Sequence, residues 1–233
     1  MSDDARRDIL ARLRRGSRGR DAAAIADELA ELPRAPSAPL PDPSLPLAFL
    51  INLLRAGGSA AVCSSRRDAA LSIGDFIAAR HGQRRLVVGH DARLAALPWR
   101  DGGLLPRFGC AEDGDAVALS HGRAAIAETG SVLIALDRDN PAGNNLLARD
   151  HLVLVESTQI VATLEDGWQC AGLQGPAPPR GLMLISGPSS TADIALQMVQ
   201  GAHGPLCFHV VLVGGELSPG LVDAARERLG QLP

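Results

Sequence analysis

Lysine is absent: all 23 basic residues of this 233-residue chain are arginines. Without lysine there is no Schiff base to a carbonyl or to pyridoxal phosphate, and no P-loop lysine for a nucleotide phosphate. Any anion must be held by arginine, backbone amides or hydroxyls. Tyrosine is absent too, and aromatic residues make up only 3% of the chain, which leaves no platform for base stacking. A net charge of -3 provides no basic field for nucleic acid. Cys63, Cys110, Cys170 and Cys207 form no C-x-x-C pair. Iron–sulfur and structural zinc sites draw on closely spaced cysteines, so neither a metal nor a cofactor is expected. No apolar run approaches membrane-spanning length, and the start Met1-Ser2-Asp3-Asp4 is acidic, without a hydrophobic signal region. The expectation is a soluble cytoplasmic protein.

Three regions follow from the patterning. Residues 1–32 read as an N-terminal helical arm, with Ile9, Leu10, Leu13, Ile25 and Leu29 as apolar stripes and a break at Gly16-Ser17-Arg18-Gly19. Residues 33–45 are rich in proline and read as a stiff extended linker. Such a tethered arm suits docking or subunit exchange, since short helices with little apolar surface are marginal alone. From residue 46 to 233, helical patterns (47–56, 67–81) alternate with short apolar runs at 60–63, 85–89, 116–120, 131–135, 152–155, 182–185 and 208–213. The later runs are apolar on both faces, as strands covered from both sides must be. The predicted fold class is α/β, an open and mostly parallel sheet in three layers.

Two segments carry the chemistry. In the first, Ser186-Gly187-Pro188-Ser189-Ser190-Thr191-Ala192-Asp193 follows the apolar run 182–185 and leads into a helix-like pattern through Ile194 and Met198. Gly187 permits close backbone approach, Pro188 fixes one φ, and Ser189, Ser190 or Thr191 can cap the helix, with Asp193 in its first turn. The free amides at that helix start make an anion site. A helix over 191–200, on the order of 15 Å long, would carry His203 to the opposite sheet edge, away from Ser189 unless the final strand runs antiparallel. In the second segment, Glu128-Thr129-Gly130 precedes the apolar strand 131–135. The Thr129-Gly130 turn can present Glu128, which burial would make a candidate general base or nucleophile. Arg123 and Arg138 flank it and could clamp a carboxylate, and His121 ends a strand nearby.

Ala125-Ile126-Ala127-Glu128-Thr129-Gly130-Ser131, Ile185-Ser186-Gly187-Pro188-Ser189-Ser190-Thr191-Ala192-Asp193-Ile194 and Gly201-Ala202-His203-Gly204-Pro205 resemble, in order and spacing, the lactate-utilisation protein C family of LUD-domain proteins. The resemblance covers residues 45 to 213. It implies the fold of glucosamine-6-phosphate deaminases, ribose-5-phosphate isomerases and CoA transferases (the NagB/RpiA/CoA-transferase-like type). It also implies a non-redox component of L-lactate oxidation to pyruvate, beside two larger iron–sulfur partner subunits and binding a small carboxylate or phosphate. A homo-oligomer is left open. The alternative is a stand-alone enzyme acting on a small anionic metabolite through Glu128, by analogy with CoA transferases. The chain departs from the family pattern at Ser190, where arginine is usual, at Ala195, where an acid is usual, and at Asn145-Leu146-Leu147-Ala148, where Ser-Leu-Leu-Pro is usual.

Overall fold

The computed structural model describes residues 3–16, 21–32, 38–173, 178–192 and 198–232. Two compact units divide the chain, 1–37 and 38–233. The first contains α1 (Asp3–Gly16) and α2 (Ala22–Glu31), the latter capped by Asp21 accepting from the Ala23 amide at 3.1 Å. Their apolar stripes, including Leu13 and Leu29, are exposed.

The second unit begins with α3 (Leu45–Arg55), β1 (Ser59–Cys63), α4 (Arg66–His81), β2 (Arg85–Val88), α5 (Ala92–Ala95) and β3 (Leu105–Phe108). It continues through β4 (Val117–His121), β5 (Ala124–Ile126), β6 (Ser131–Leu136), α6 (Gly143–Leu146), β7 (Asp150–Glu156), β8 (Ile160–Val161) and α7 (Leu164–Cys170). Last come β9 (Gly181–Ile185), β10 (Ser190–Ala192), β11 (Met198–Gln200), β12 (Cys207–Val213) and α8 (Leu221–Gln231).

Six strands form a parallel sheet in the order β1-β12-β7-β4-β2-β3. Its central strands β7 and β12 are apolar on both faces for a visible reason. Val153, Val155, Val210 and Leu212 pack with Phe49, Leu50 and Leu53 of α3 and Val222 and Ala225 of α8. The alternate residues Leu152, Leu154, Val211 and Val213 pack with Ala69, Ile73 and Ile77 of α4. Period-two alternation thus feeds two cores, one on each side. The fold is α/β with a mostly parallel central sheet, as the patterning predicts.

A second sheet, β8-β5-β6-β9, is mixed: β5 pairs antiparallel with β6, β6 antiparallel with β9, and β5 parallel with β8. The chain crosses from the first sheet to the second between β4 and β5. There the Gly122 amide bonds to the Leu154 carbonyl at 2.9 Å and the Arg123 amide to the Leu133 carbonyl at 2.7 Å. A Cβ at Gly122 would lie 2.7 Å from Val155 and 2.8 Å from Val132, so only glycine passes this seam.

The helix expected over 191–200 is not formed. Ser190–Ala192 and Met198–Gln200 instead make an antiparallel ladder, with the β-branched residues Thr191 and Val199 directly opposed. Ser189, Ser190 and Thr191 could cap a helix, but the cross-strand pairing of the β-branched Thr191 and Val199 favours the ladder. Asp193 and Ala195 lie outside the described residues. The strand before this segment, β9, also belongs to the mixed sheet rather than to the parallel one.

Candidate ligand-binding site

The hairpin reverses the argument about His203. Because β10 and β11 double back, Gly201 donates to the Ser189 carbonyl at 2.8 Å and Ser189 donates to the Pro205 carbonyl at 2.9 Å. The segments 186–189 and 203–205 are therefore side by side, although β12 runs parallel to its neighbours. Together they line a cleft of about 200 Å³ with Asn145, Leu146, His151, Met183, Leu184, Ile185 and Phe208.

The same bonds remove the anion site foreseen at a helix start. The Ser189 amide is occupied by the Pro205 carbonyl, and Ser190–Ala192 are strand. Gly187 is required by packing: a Cβ there would lie 2.4 Å from the Ala56 carbonyl at the end of α3. Pro188 meets the same helix end, 3.7 Å from a Cβ built at Gly57. Ser190 and Thr191 are exposed on the hairpin and do not line the cleft.

Beneath the cleft runs a buried polar chain that sequence reasoning missed. Ser120 donates to Asn145 Oδ1 at 2.7 Å, and His151 Nε2 lies 3.0 Å from Ser120 Oγ. Since Ser120 has only one proton to give, His151 Nε2 carries the hydrogen in that contact. His151 Nδ1 is then a bare acceptor, buried and without a protein partner. Burial pushes the His151 pKa down to about 3, so the ring is neutral. The available signal was a polar pair, Asp150-His151, heading an otherwise apolar strand. Ser131 and Ser186 bond at 2.6 Å and fix the rim from the second sheet.

Glu128 lies elsewhere. Its Oε1 accepts from the Ala38 amide at 2.8 Å and its Oε2 from the Leu164 amide at 3.1 Å, at the first turn of α7. Gly130, at φ +68°, presses on α3, where a Cβ would lie 2.2 Å from the Leu53 nitrogen. Asn52 of α3 donates to the Ala127 and Glu128 carbonyls at 2.8 and 3.1 Å. The turn 128–130 thus locks α3, α7 and the incoming chain together; Glu128, Thr129 and Gly130 do not line the cleft. Arg138 is exposed on the loop after β6 and does not line it either. His121 and Arg123 face a separate, smaller cavity at the sheet seam. Among the described residues no cluster of His, Cys, Asp or Glu could hold a metal ion, and no helix is long and apolar enough to cross a membrane.

A parallel-sheet α/β unit joined through one seam to a smaller mixed sheet is the class of protein defined here. Residues 115–213, which include the seam and the cleft, match the family model of the LUD domain. That segment is similar to the LUD domain, and the names of similar proteins support the resemblance to the lactate-utilisation protein C family. Similar proteins include lactate utilization protein C of Deinococcus radiodurans, 36% identical over 93 residues, 39% of this chain and 42% of that one. Lactate utilization protein C of Oceanobacillus iheyensis is 26% identical over 100 residues, 42% of this chain and 43% of that one. The matches thus span well under half of these relatives' length. A crystal structure of a DUF162 family protein from Deinococcus radiodurans shares the fold, with TM-score 0.53 and 22% identity, covering 73% of this chain and 96% of that one.

Proposed function

We propose that this chain is a LUD-domain component of L-lactate utilisation that binds a small anion in the cleft and works beside iron–sulfur subunits. The observation that carries the binding role is the convergence of segments 186–189 and 203–205 over the buried His151–Ser120–Asn145 chain. The lactate role is supported by the names of the relatives and by the LUD match. In the cleft, hydroxyls of Ser186 and Ser189 and the exposed ring of His203 supply polar groups beside an apolar wall of Met183, Ile185 and Phe208. This mix of a few placed polar groups on apolar walls suits a small metabolite. The absence of clustered cysteines assigns electron transfer to partners, and the arm at residues 1–32 is the element proposed to hold them.

A cleft-filling variant, Ser189→Phe, tests the reading in the source organism. Deleting the gene should abolish growth on L-lactate, and the variant should fail to restore it while remaining folded. Removing residues 1–37 should release co-purifying iron–sulfur proteins under anaerobic lysis. Normal growth on lactate without the gene defeats the lactate role; full complementation by the folded Ser189→Phe protein defeats the cleft.

A further inference from the structure

The two N-terminal helices leave their apolar stripes uncovered. Ile9, Leu10 and Leu13 share one face of α1, and Ile25, Leu29 and Leu32 recur at helical spacing along α2 and its cap. All six are exposed, from Ile25 at 38% to Leu32 at 65%, so neither helix of a single chain covers the other's stripe. Helices of 14 and 10 residues are marginal in water unless such a face is buried.

Charge indicates what buries it. The closing stretch of α1, residues 12–16, holds Arg12, Arg14 and Arg15 and no acid. The closing stretch of α2, residues 27–31, holds Asp27, Glu28 and Glu31 and no base. The arginines suit the negative end of their own helix dipole, whereas the three acids stand against theirs. The end of α2 therefore favours a cationic neighbour. The basic end of α1 is that neighbour when the two helices point the same way, stripe facing stripe.

One chain does not supply that alignment. Only residues 17–21 separate the two helices, and helices joined so briefly pack antiparallel. An antiparallel pair would set the acids of α2 beside Asp3 and Asp4 at the start of α1, acid against acid. A second copy removes the conflict. With a two-fold axis across the helices, α1 of each chain runs parallel to α2 of the other, and each basic end meets an acidic one. Two helical hairpins with their turns at opposite ends then make a four-helix bundle, with the apolar stripes inside.

We infer that α1 and α2 are a self-association surface whose partner is the same pair of helices in a second copy of this chain, α1 against α2 in parallel. The inference goes beyond the proposed function and does not rest on it. Iron–sulfur subunits would meet the polar outer face of the paired helices.

Sedimentation equilibrium of the purified full chain, without other proteins, tests it. The wild type should associate to twice the 24.2 kDa of one chain. Its dissociation constant should rise at least about threefold between about 0.05 and 0.5 M salt, which screens exposed charges. Reversing α1 (Arg12→Glu, Arg14→Glu, Arg15→Glu) or α2 (Asp27→Arg, Glu28→Arg, Glu31→Arg) should each raise that constant at least about tenfold, because like charges then face each other. Mixing the two reversed proteins should restore a 1:1 complex, since each altered end meets its complement. A monomeric wild type overturns the inference, as does a dimer that ignores salt or survives either reversal unweakened. A mixture that stays monomeric while circular dichroism shows the helices intact overturns it too. Should a reversal melt its helix, the salt dependence of the unmodified protein decides. None of these outcomes touches growth on lactate, which judges the proposed function separately.

Discussion

Glu128 offers the sharpest distinction between a catalyst and a clamp. Its carboxylate accepts two backbone amides, Ala38 at 2.8 Å and Leu164 at 3.1 Å. Hydrogen bonds to a charged group contribute about 1.5–3 kcal/mol when sheltered and about 1 kcal/mol when open to water. The Leu164 bond is partly buried, at the positive end of α7, and the Ala38 bond is exposed. Glu128→Ala, which deletes both, should therefore cost about 3 kcal/mol, or about 6–12 °C in Tm for a domain of this size. Glu128→Gln keeps one acceptor oxygen, loses the charge and one bond, and should cost about half as much. Urea unfolding gives both values, and complementation of growth on lactate gives the functional readout. A clamp predicts that Glu128→Gln loses some stability and still supports growth well below its Tm. If Glu128→Gln keeps wild-type stability while growth is abolished, Glu128 is a chemical participant and not a clamp.

Other consequences can be measured on the same protein. Gly130→Ala places a Cβ at φ +68° and 2.2 Å from the Leu53 nitrogen, so it should lose more than about 2 kcal/mol; a soluble variant with unchanged urea midpoint refutes the contact. The Asp150 carboxylate is fully buried and bonds Arg80 Nε at 2.5 Å and His81 Nε2 at 2.9 Å. Removing Arg80 as Arg80→Met should cost about 3 kcal/mol, the low end for stranding a buried charge because Arg80 itself is half exposed. His121, His151 and His209 are held near 4, 3 and 4 by burial, whereas the unfolded chain protonates them near 6.5. Between these values the unfolded state binds more protons, so stability is full above pH 6.5 and falls as pH drops toward 4, by about 2 kcal/mol per histidine at pH 5. Equal Tm at pH 7 and pH 5 would contradict that burial.

The linear sequence carried most of the architecture because the architecture is written in short-range periodicity. The runs 152–155 and 208–213 are apolar at every position, and β7 and β12 are indeed buried on both faces, between α3 and α8 on one side and α4 on the other. The helices at 47–56 and 67–81 were likewise legible from their spacing, and the structure adds a cap to the second, Ser65 accepting from the Asp68 amide. The three blocks of family resemblance were legible as blocks, but the helix expected over 191–200 set 203–205 apart from 186–189, whereas in the structure these two segments meet.

Local pattern failed where long-range pairing decided the outcome. Residues 191–200 have helix-like spacing, but Thr191 finds Val199 across a ladder and Ser189 is tied to Pro205. That substitution of a hairpin for a helix is what brings His203 to Ser189. Glu128, Gly130 and Gly187 look chemical in a string of letters, yet each is explained by contact with α3, α7 or the chain at Ala38. Conversely, His121, Asn140 and Arg123 are dispersed over twenty positions and meet only because the chain changes sheets at Gly122. Composition and periodicity determine which elements form, since both act over a few residues. Which polar groups remain unpaired inside the fold depends on the partners that distant strands bring or withhold, and only the folded structure settles that.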